Sequence, residues 1–158
     1  MIRALGDHTK KLNEQGKVGM LADIYAPYDH FKRIAGAKCE IWIGAGLGIL
    51  PFISWQQDTT IGHFERATLV YCFDPARAFP SVERMQEITV QSGVQLVSNP
   101  SGSNAMAETI RKAASEVDQK SIQISFCGPK GLLKKVQELM KENSISAKNI
   151  HYEFYDFC

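Results

Sequence analysis

Short apolar runs alternate with amphipathic helical patterns from Cys39 to the end of the chain, and this alternation constrains the fold more than any other feature. A strand–helix unit that occurs four times and is followed by a final strand is typical of a parallel sheet with helices packed against it. The sequence therefore predicts an α/β fold, namely a parallel five-stranded Rossmann-like sheet with helices on both faces.

The individual elements follow from hydrophobic periodicity and from turn residues. The predicted strands are Cys39–Ile43, Ala67–Phe73, Val94–Val97, Ile122–Phe126 and Ile150–Phe157. The predicted helices are Ile49–Gln56, Ser81–Gln91, Asn104–Val117 and a strongly amphipathic helix that carries Leu132, Leu133, Val136, Leu139 and Met140. A turn is expected at Ser98–Gly102, and Ser103 or Asn104 is expected to cap the third helix.

The first thirty-odd residues do not follow this alternation. Met20–Ile24 has the pattern of a strand, and Ala26–Phe31 has the pattern of a loop that carries aromatic residues. Two such short pieces cannot bury a core by themselves. We therefore expect them either to pack onto the sheet domain or to be the end of a domain that begins upstream.

The composition excludes several classes of protein. The 158 residues suffice for one domain, and a net charge of +1 argues against a nucleic-acid-binding protein. The longest apolar stretch, Ile41–Ile53, is interrupted by three glycines and Pro51 and is too short to cross a bilayer. Charged residues near the N-terminus leave no room for the apolar core of a signal peptide.

Cysteine and histidine spacing gives no indication of a metal site. The four cysteines at positions 39, 72, 127 and 158 form no C-x-x-C pair, and the four histidines form no H-x-x-x-H pair. A chain of this length can fold without disulfide bonds, so we expect a reducing, cytoplasmic compartment. The sequence predicts no metal site.

Ligands of parallel sheets bind beyond the carboxyl ends of the strands, so the residues that follow strands are the candidate site. The segment Gly44–Phe52 directly follows the first strand, and its glycines would allow a backbone turn close to a pyrophosphate. Its spacing is G-x-G-x-G, which is not the strict dinucleotide motif. Tight packing of the turn explains these glycines almost as well as nucleotide binding does.

The other strand ends also carry candidates, each with a structural alternative. Cys127 and Gly128 would let a flat ring approach the backbone, or they would form a simple strand-to-helix turn. Asp74 suits a free ribose 2′-hydroxyl and Arg77 suits a 2′-phosphate, although solvated loops often carry both. Lys130 would reach a phosphate or would lie on a solvated helix face.

Four motifs in the same order resemble the pyridine-nucleotide half of the ferredoxin–NADP⁺ reductase superfamily. Ala26–Phe31 is similar to its G-P-Y-G-x-F segment, and Gly44–Phe52 to its G-A-G-x-G-x-T-P-F loop. Cys127–Pro129 matches its C-G-P motif, and His151–Phe157 is similar to the H-x-E-x-F-x-F ending of the ferric reductase and NADPH oxidase branch. The resemblance runs from about Arg3 to the C-terminus.

The resemblance implies two regions and a set of site residues. Residues 1–31 would be the tail end of a flavin-binding β-barrel, and residues 37–158 the NAD(P)-binding domain. The implied catalytic residues are Cys127 and Glu153, beside the reacting ring, and Phe157, which would cover the flavin. Together with the strand-end argument, the resemblance assigns cofactor binding to Pro27, Tyr28, Gly44, Ala45, Gly46, Leu47, Gly48, Pro51, Asp74, Arg77, Cys127, Gly128, Pro129 and Lys130.

Three departures accompany the resemblance. The flavin-anchoring R-x-Y-[ST] strand is absent, Asp29 stands where the family has a loop glycine, and Leu50 stands where it has a threonine. We therefore expect FAD to be held mainly by a missing upstream domain. The isolated chain is expected to be colourless and inactive.

The function that the resemblance implies is that of an NAD(P)H-binding domain in a ferric-reductase-like flavoprotein oxidoreductase. Hydride would pass to FAD, and electrons would move on to iron, haem or another acceptor. The implied partners are nicotinamide dinucleotide and the upstream flavin domain. The resemblance also allows for haem-bearing transmembrane helices upstream, which would place the domain on the cytoplasmic face of a membrane. The alternatives are a reductase subunit of an oxygenase system and a non-catalytic nucleotide-sensing module.

Overall fold

The computed structural model describes residues 31–34, 36–58, 66–78 and 80–155, together with Lys11, Glu14, Lys17 and Gly19. The chain divides into two units, Met1–His30 and Phe31–Cys158, and the second contains all the strands and helices described below. The predicted strand at 20–24, Pro27, Tyr28 and Phe157 lie outside the described residues. The predicted boundaries at residues 31 and 37 stay a prediction, although Phe31 belongs to the second unit.

The second unit contains a five-stranded sheet in the order β3-β2-β1-β4-β5, and all four pairs of neighbouring strands are parallel. The strands are β1 (Cys39–Ala45), β2 (Ala67–Phe73), β3 (Gln95–Pro100), β4 (Ile122–Pro129) and β5 (Ile150–Tyr155). The central strands are almost fully buried, as expected when helices cover both faces of a parallel sheet. The predicted fold class is confirmed.

Among the described residues, four α-helices cover the two faces of the sheet. They are α1 (Leu50–Gln57), α2 (Val82–Ser92), α3 (Ala105–Glu116) and α4 (Lys130–Glu142). The first three lie within a few residues of their predicted ranges, and α4 contains all five residues predicted for the fourth helix. Their buried residues show that α1 and α2 pack on one face and that α3 and α4 pack on the other. The prediction of helices on both faces is therefore confirmed.

The third strand departs from the prediction at its end. The predicted turn at 98–102 is wrong in its first half, because β3 continues through Pro100, which pairs with Phe73 of β2. Asn99 lies in the strand with its side chain buried, where its Oδ1 accepts a hydrogen bond from the backbone N–H of Met106 at 2.9 Å. Pairing with β2 thus overrides the turn preference of the individual residues.

Of the two residues predicted to cap α3, only Ser103 makes a capping bond. Asn104 occupies the N-cap position but makes no side-chain capping bond, whereas Ser103 Oγ accepts a bond from the N–H of Ala105 at 3.1 Å. The remaining cap is supplied by Asn99, five residues upstream on β3. A side chain of the sheet therefore ties the beginning of α3 to the carboxyl edge of the strands.

Each face of the sheet has its own hydrophobic core. The aliphatic core, on the face of α3 and α4, contains Ile41, Ile43, Val70, Met106, Ile110, Ile122, Ile124, Phe126, Leu133, Val136, Leu139 and Met140 among its members. The aromatic core, on the face of α1 and α2, contains Trp42, Ile49, Phe52, Trp55, Leu69, Tyr71, Met85 and Cys127 among its members. Both cores come into contact with β1, the central strand.

A polar cluster closes the aromatic core at the amino end of β1. Arg33 donates two hydrogen bonds to the carboxylate of Glu40, at 2.9 and 2.7 Å, and its guanidinium lies 5.9 Å from the ring of Trp42. Trp42 Nε1 donates a third bond to Glu40 at 3.2 Å. The buried carboxylate is thereby paired and hydrogen-bonded, as such groups must be.

In the part of the chain that the structure describes, no helix is both long enough and apolar enough to cross a bilayer.

Candidate functional site

The switch point of the sheet lies between β1 and β4. From β1 the chain proceeds through β2 to β3 on one side, and then crosses over to β4 and β5 on the other. In parallel sheets of this kind, the crevice beyond the carboxyl ends of the two central strands is the usual ligand site. The segment after β1 and the end of β4 border this crevice, and both carry residues predicted for the site.

The glycine segment after β1 turns directly into a helix. Gly46–Ile49 forms a 3₁₀ turn that continues into α1, with Pro51 in the first turn of that helix as predicted. Gly46 has a φ of 53°, in the left-handed region, and a Cβ built on it would meet nothing within 4 Å. The backbone at Gly46 is exposed, so an anionic group has open access to the start of the helix.

Two other glycines of this segment are required by packing. A Cβ on Gly48 would lie 2.0 Å from the carbonyl oxygen of Cys127, and a Cβ on Gly44 would lie 2.9 Å from the Cα of Ile49. Across the crevice, a Cβ on Gly128 would lie 2.8 Å from that of Ala45. The backbones after β1 and at the end of β4 are therefore in direct contact, and tight packing accounts for these three positions without a ligand.

The predicted catalytic pair is adjacent in the sheet. Gly44 is in register with Cys127 across β1 and β4, and Cys127 is in register with Glu153 across β4 and β5. The Cys127 side chain is fully buried in the aromatic core, whereas Glu153 is partly exposed. The sheet thus brings the glycine segment, the cysteine and the glutamate into one row near the carboxyl edge.

The segment after β2 is anchored to the rest of the unit. Asp74 Oδ1 accepts a bond from the N–H of Ala76 at 3.0 Å and caps the 3₁₀ turn Pro75–Arg77. Tyr71, buried below it, donates its hydroxyl to the carbonyl oxygen of Pro80 at 2.9 Å. Asp74 and Arg77 are both exposed at this edge, so the structure keeps both predicted ribose-binding side chains accessible.

Cys72, on β2 beside Ala45, is held in its thiol form. Burial raises the pKa of Cys72 to about 11, against smaller opposing effects from the Asn99 hydrogen bond and the charge of Lys135. Asn99 Nδ2 lies 3.5 Å from Cys72 Sγ. The thiol is therefore a packing group at this edge, and its burial and raised pKa argue against a nucleophilic role.

Sequence reasoning missed a stack of rings that includes His151. Phe31 lies between Trp55, with ring centroids 5.2 Å apart, and His151, at 5.0 Å with an interplanar angle of 7°. His151 Nε2 is buried and has no hydrogen-bond partner among the residues that the structure describes. The alternation of apolar and polar residues in β5 places His151 on the same face as Glu153, but no sequence signal pairs it with Phe31.

Lys130 lies at the start of α4, at the same edge. Its Nζ is 5.6 Å from the ring centroid of Phe154 on β5, a cation–π distance. The predicted residues that the structure describes thus lie on four neighbouring segments at the carboxyl edge of the sheet. Three of these segments follow β2, β1 and β4, and the fourth is the end of β5.

No model of a known protein family matches the sequence, and no curated protein matches it either. Solved structures do. The FAD/NAD binding domain of nitric oxide dioxygenase from Vibrio cholerae O1 biovar El Tor is 18% identical with a TM-score of 0.68, over 93% of this chain and 63% of that one. The chain therefore spans less than two thirds of that structure.

Two further structures have the same fold. Full-length CYP116B46 from Tepidiphilus thermophilus is 18% identical with a TM-score of 0.71, over 99% of this chain and 20% of that one. Ferredoxin–NADP⁺ reductase from Plasmodium falciparum with 2′P-AMP is 17% identical with a TM-score of 0.54, over 81% of this chain and 58% of that one. At these identities the likeness shows that the chain shares its fold with part of each of these structures.

Proposed function

We propose that the chain is the NAD(P)H-binding domain of a flavoprotein oxidoreductase of the ferric-reductase-like type, which presents nicotinamide to FAD. The observation that carries the proposal is the row formed by Gly44, Cys127 and Glu153 on neighbouring strands. This row lies at the switch point, beside the exposed turn that leads into α1. The match to a structure described as an FAD/NAD binding domain supports it. The motif resemblance supports the ferric reductase branch in particular.

The residues present fit a dinucleotide at this edge. The open space at Gly46 and the exposed start of the helix would receive the pyrophosphate, with Ala45, Leu47 and Pro51 alongside. Asp74 or Arg77 would contact the ribose, since both are accessible beyond β2. Lys130 would place its charge near a phosphate, and Pro129 would direct the chain into α4 beside it.

When bound, NAD(P)H supplies a hydride, and the chemistry belongs to that cofactor and the flavin. The task of this chain is to position the nicotinamide ring. Glu153 would line the ring's edge, and Cys127, through its contact with Gly48, would hold the glycine segment in place. Pro27, Tyr28 and Phe157 are proposed to contact the flavin, as the resemblance implies.

The test of nucleotide binding compares two glycines. Gly46→Ala and Gly93→Ala each place a side chain at positive φ, 53° and 76°, with open space around the Cβ, so their backbone strain is similar. Only Gly46 lies at the proposed site. Titration calorimetry with NADH and NADPH should show weaker binding for Gly46→Ala alone. Equal affinity in both variants and the parent would show that the segment is structural.

Cofactor choice depends on the same edge. Asp74 would repel a 2′-phosphate, whereas Arg77 would attract it; the acid is closer to the strand end, so we propose a preference for NADH. Competition binding of NADH against NADPH measures this preference. A strong NADPH preference that disappears in Arg77→Ala would reverse it.

A second candidate, a nucleotide-sensing module, is favoured by the full burial of Cys127 in the aromatic core. Such a module would bind NADH and would not transfer hydride even when fused to a flavin-binding domain. The two candidates are separated by a fusion protein that binds both FAD and NADH: flavin bleaching after mixing with NADH supports the reductase.

A further inference from the structure

A cationic and aromatic surface runs along one flank of the unit, where α4 borders β5. Tyr152 and Phe154 are 45% and 42% exposed, and their rings stack with centroids 6.3 Å apart. Lys130 lies over Phe154, and α4 carries Lys134 and Lys141 further along the same side. We call these five residues the α4–β5 flank.

Helix and strand geometry places the lysines beside the aromatic rings. Four residues of a helix rise about 6 Å, and two residues of a strand span nearly the same distance, about 6.6 Å. Lys130 contacts Phe154, and a crossover helix runs antiparallel to the strands of a parallel sheet, so we expect Lys134 at about the level of Tyr152. Lys141 continues the row toward the amino end of the strand. The three lysines are thus spread over the length of the helix, and the exposed Glu138 lies one turn from both Lys134 and Lys141.

The flank begins with a positive charge that the helix dipole opposes and ends with Lys141, which the dipole favours. The first turn of α4 contains a lysine and no acidic residue, although the helix dipole favours the opposite charge there. None of the three ammonium groups lies within ion-pair distance of a carboxylate among the described residues. The half-exposed ring of Phe154, which stacks with that of Tyr152, lies beside the first of them. These features together fit a surface that a partner covers.

We propose that the α4–β5 flank is a docking surface for a protein partner that presents carboxylates around an apolar centre. Aromatic rings at the centre of a contact and complementary charges at its rim are the usual composition of such a surface. A dinucleotide at the carboxyl edge of the sheet cannot neutralise Lys141, which lies in the last turn of α4. Lys130 also belongs to the proposed nucleotide site, so the charges that test this proposal are those of Lys134 and Lys141, which the proposed function does not use.

The observations favour a protein over a membrane. More than half of the surface of each ring is already covered, so the rings have little apolar area left to insert into lipid. The rings lie along the side of a strand and at no loop tip. The experiment must therefore distinguish binding to vesicles from binding to a protein-like polymer.

The experiment measures binding of the full chain to poly-L-glutamate and to a glutamate–tyrosine copolymer by fluorescence anisotropy at low and moderate salt. The variant Lys134→Glu/Lys141→Glu should weaken binding of the copolymer by about tenfold. The matched control Lys38→Glu/Lys120→Glu changes the net charge equally, at exposed lysines outside the flank, and should stay within about twofold of the parent.

The aromatic part of the surface is tested separately. The parent should bind the copolymer more tightly than poly-L-glutamate, and Tyr152→Thr/Phe154→Thr should remove this difference. Thermal melting verifies that each variant is folded, and NADH titration of the lysine variants shows whether the nucleotide site is independent of the flank.

Four outcomes would overturn the proposal. Equal weakening in both lysine variants would show unspecific charge attraction. Binding of phosphatidylserine vesicles without binding of the copolymer would indicate a lipid surface. Self-association of the parent that the flank variants abolish would make a second copy the occupant. Aggregation of the flank variants without any polymer binding by the parent would show that the lysines only keep the edge strand from pairing with itself.

Discussion

The two faces of the sheet are stabilised in different ways. The aliphatic core distributes its contacts over many medium-sized side chains of α3, α4 and all five strands. The aromatic core depends on few large rings: Trp42, Phe52 and Trp55 contact one another with centroids 5.1 to 5.9 Å apart. Loss of one ring should therefore disturb all its neighbours, whereas loss of one aliphatic side chain should leave most contacts in place.

The largest effect is expected for Trp42→Ala. This change removes a fully buried ring from the aromatic core together with its bond to Glu40, and should lower the free energy of unfolding by about 4 kcal/mol. Ile110→Ala in the aliphatic core should cost about 3 kcal/mol. Urea denaturation of the parent and of both variants measures these two losses in the free energy of unfolding. A larger loss for Ile110→Ala would contradict the concentration of stability in the aromatic face.

The second-largest effect is expected for the polar cluster of Arg33, Glu40 and Trp42 beside the aromatic core. Glu40→Gln leaves the Arg33 guanidinium without its paired carboxylate, and should lower the free energy of unfolding by about 2 kcal/mol. The control is Glu87→Gln, which removes the exposed ion pair with Arg84 and should cost less than about 0.5 kcal/mol. Similar losses at both sites would mean that burial of the first pair contributes nothing.

Alkaline pH should affect the aliphatic face through Cys72. Its folded-state pKa of about 11 lies above the ordinary value, so the folded state keeps the proton longer than the unfolded state. The resulting stability is complete below about pH 9 and is lost as pH rises toward 11, with about 1 kcal/mol gone by pH 10. Cys72→Ala should abolish this loss.

The measurement is the difference in free energy of unfolding between the parent and Cys72→Ala, at pH 8 and at pH 10. Taking the difference removes the contribution of Cys39, whose pKa is also raised, by burial and by the carboxylates of Glu116 and Glu40. A difference that does not change with pH would show that Cys72 titrates normally.

The smallest expected effect is a gain. Gly131 lies in the first turn of α4, and a Cβ there meets nothing within 4 Å, so Gly131→Ala should raise the free energy of unfolding by about 0.5 kcal/mol. Gly93→Ala, at a φ of 76° after α2, should lower it by about 1 kcal/mol. Thermal melting of the two variants should show shifts of opposite sign.

The aliphatic face could be predicted from the sequence because its helices are amphipathic. Leu133, Val136 and Met140 recur at helical spacing, and all are buried as the pattern indicates. The helix α1 shows no such periodicity, since Phe52, Trp55 and the exposed Leu50 are apolar alike. It packs against Phe31, which in turn stacks on His151, and both come from distant segments, so no local pattern could predict how α1 packs.

The topology that brings the candidate residues to one edge could be predicted, but their contacts could not. Parallel topology alone places the ends of β1, β2, β4 and β5 at one edge, where Cys127 is in register with Glu153, and the binding roles of these residues stay a prediction. The approach of Gly48 to the carbonyl of Cys127 depends on how two distant backbones meet. The bond from Tyr71 to Pro80 depends likewise on tertiary packing that periodicity does not encode.

The position of β1 in the centre of the sheet also has a kinetic consequence. One of its neighbours, β2, follows it closely in the chain, but the other, β4, is separated from it by two intervening strands and three helices. Closing so long a loop delays the pairing of β1 with β4. We therefore expect β1, β2 and β3 to assemble first, with one side of β1 still unpaired. During synthesis on the ribosome, this unpaired side is the part of the nascent chain most exposed to wrong partners until β4 emerges.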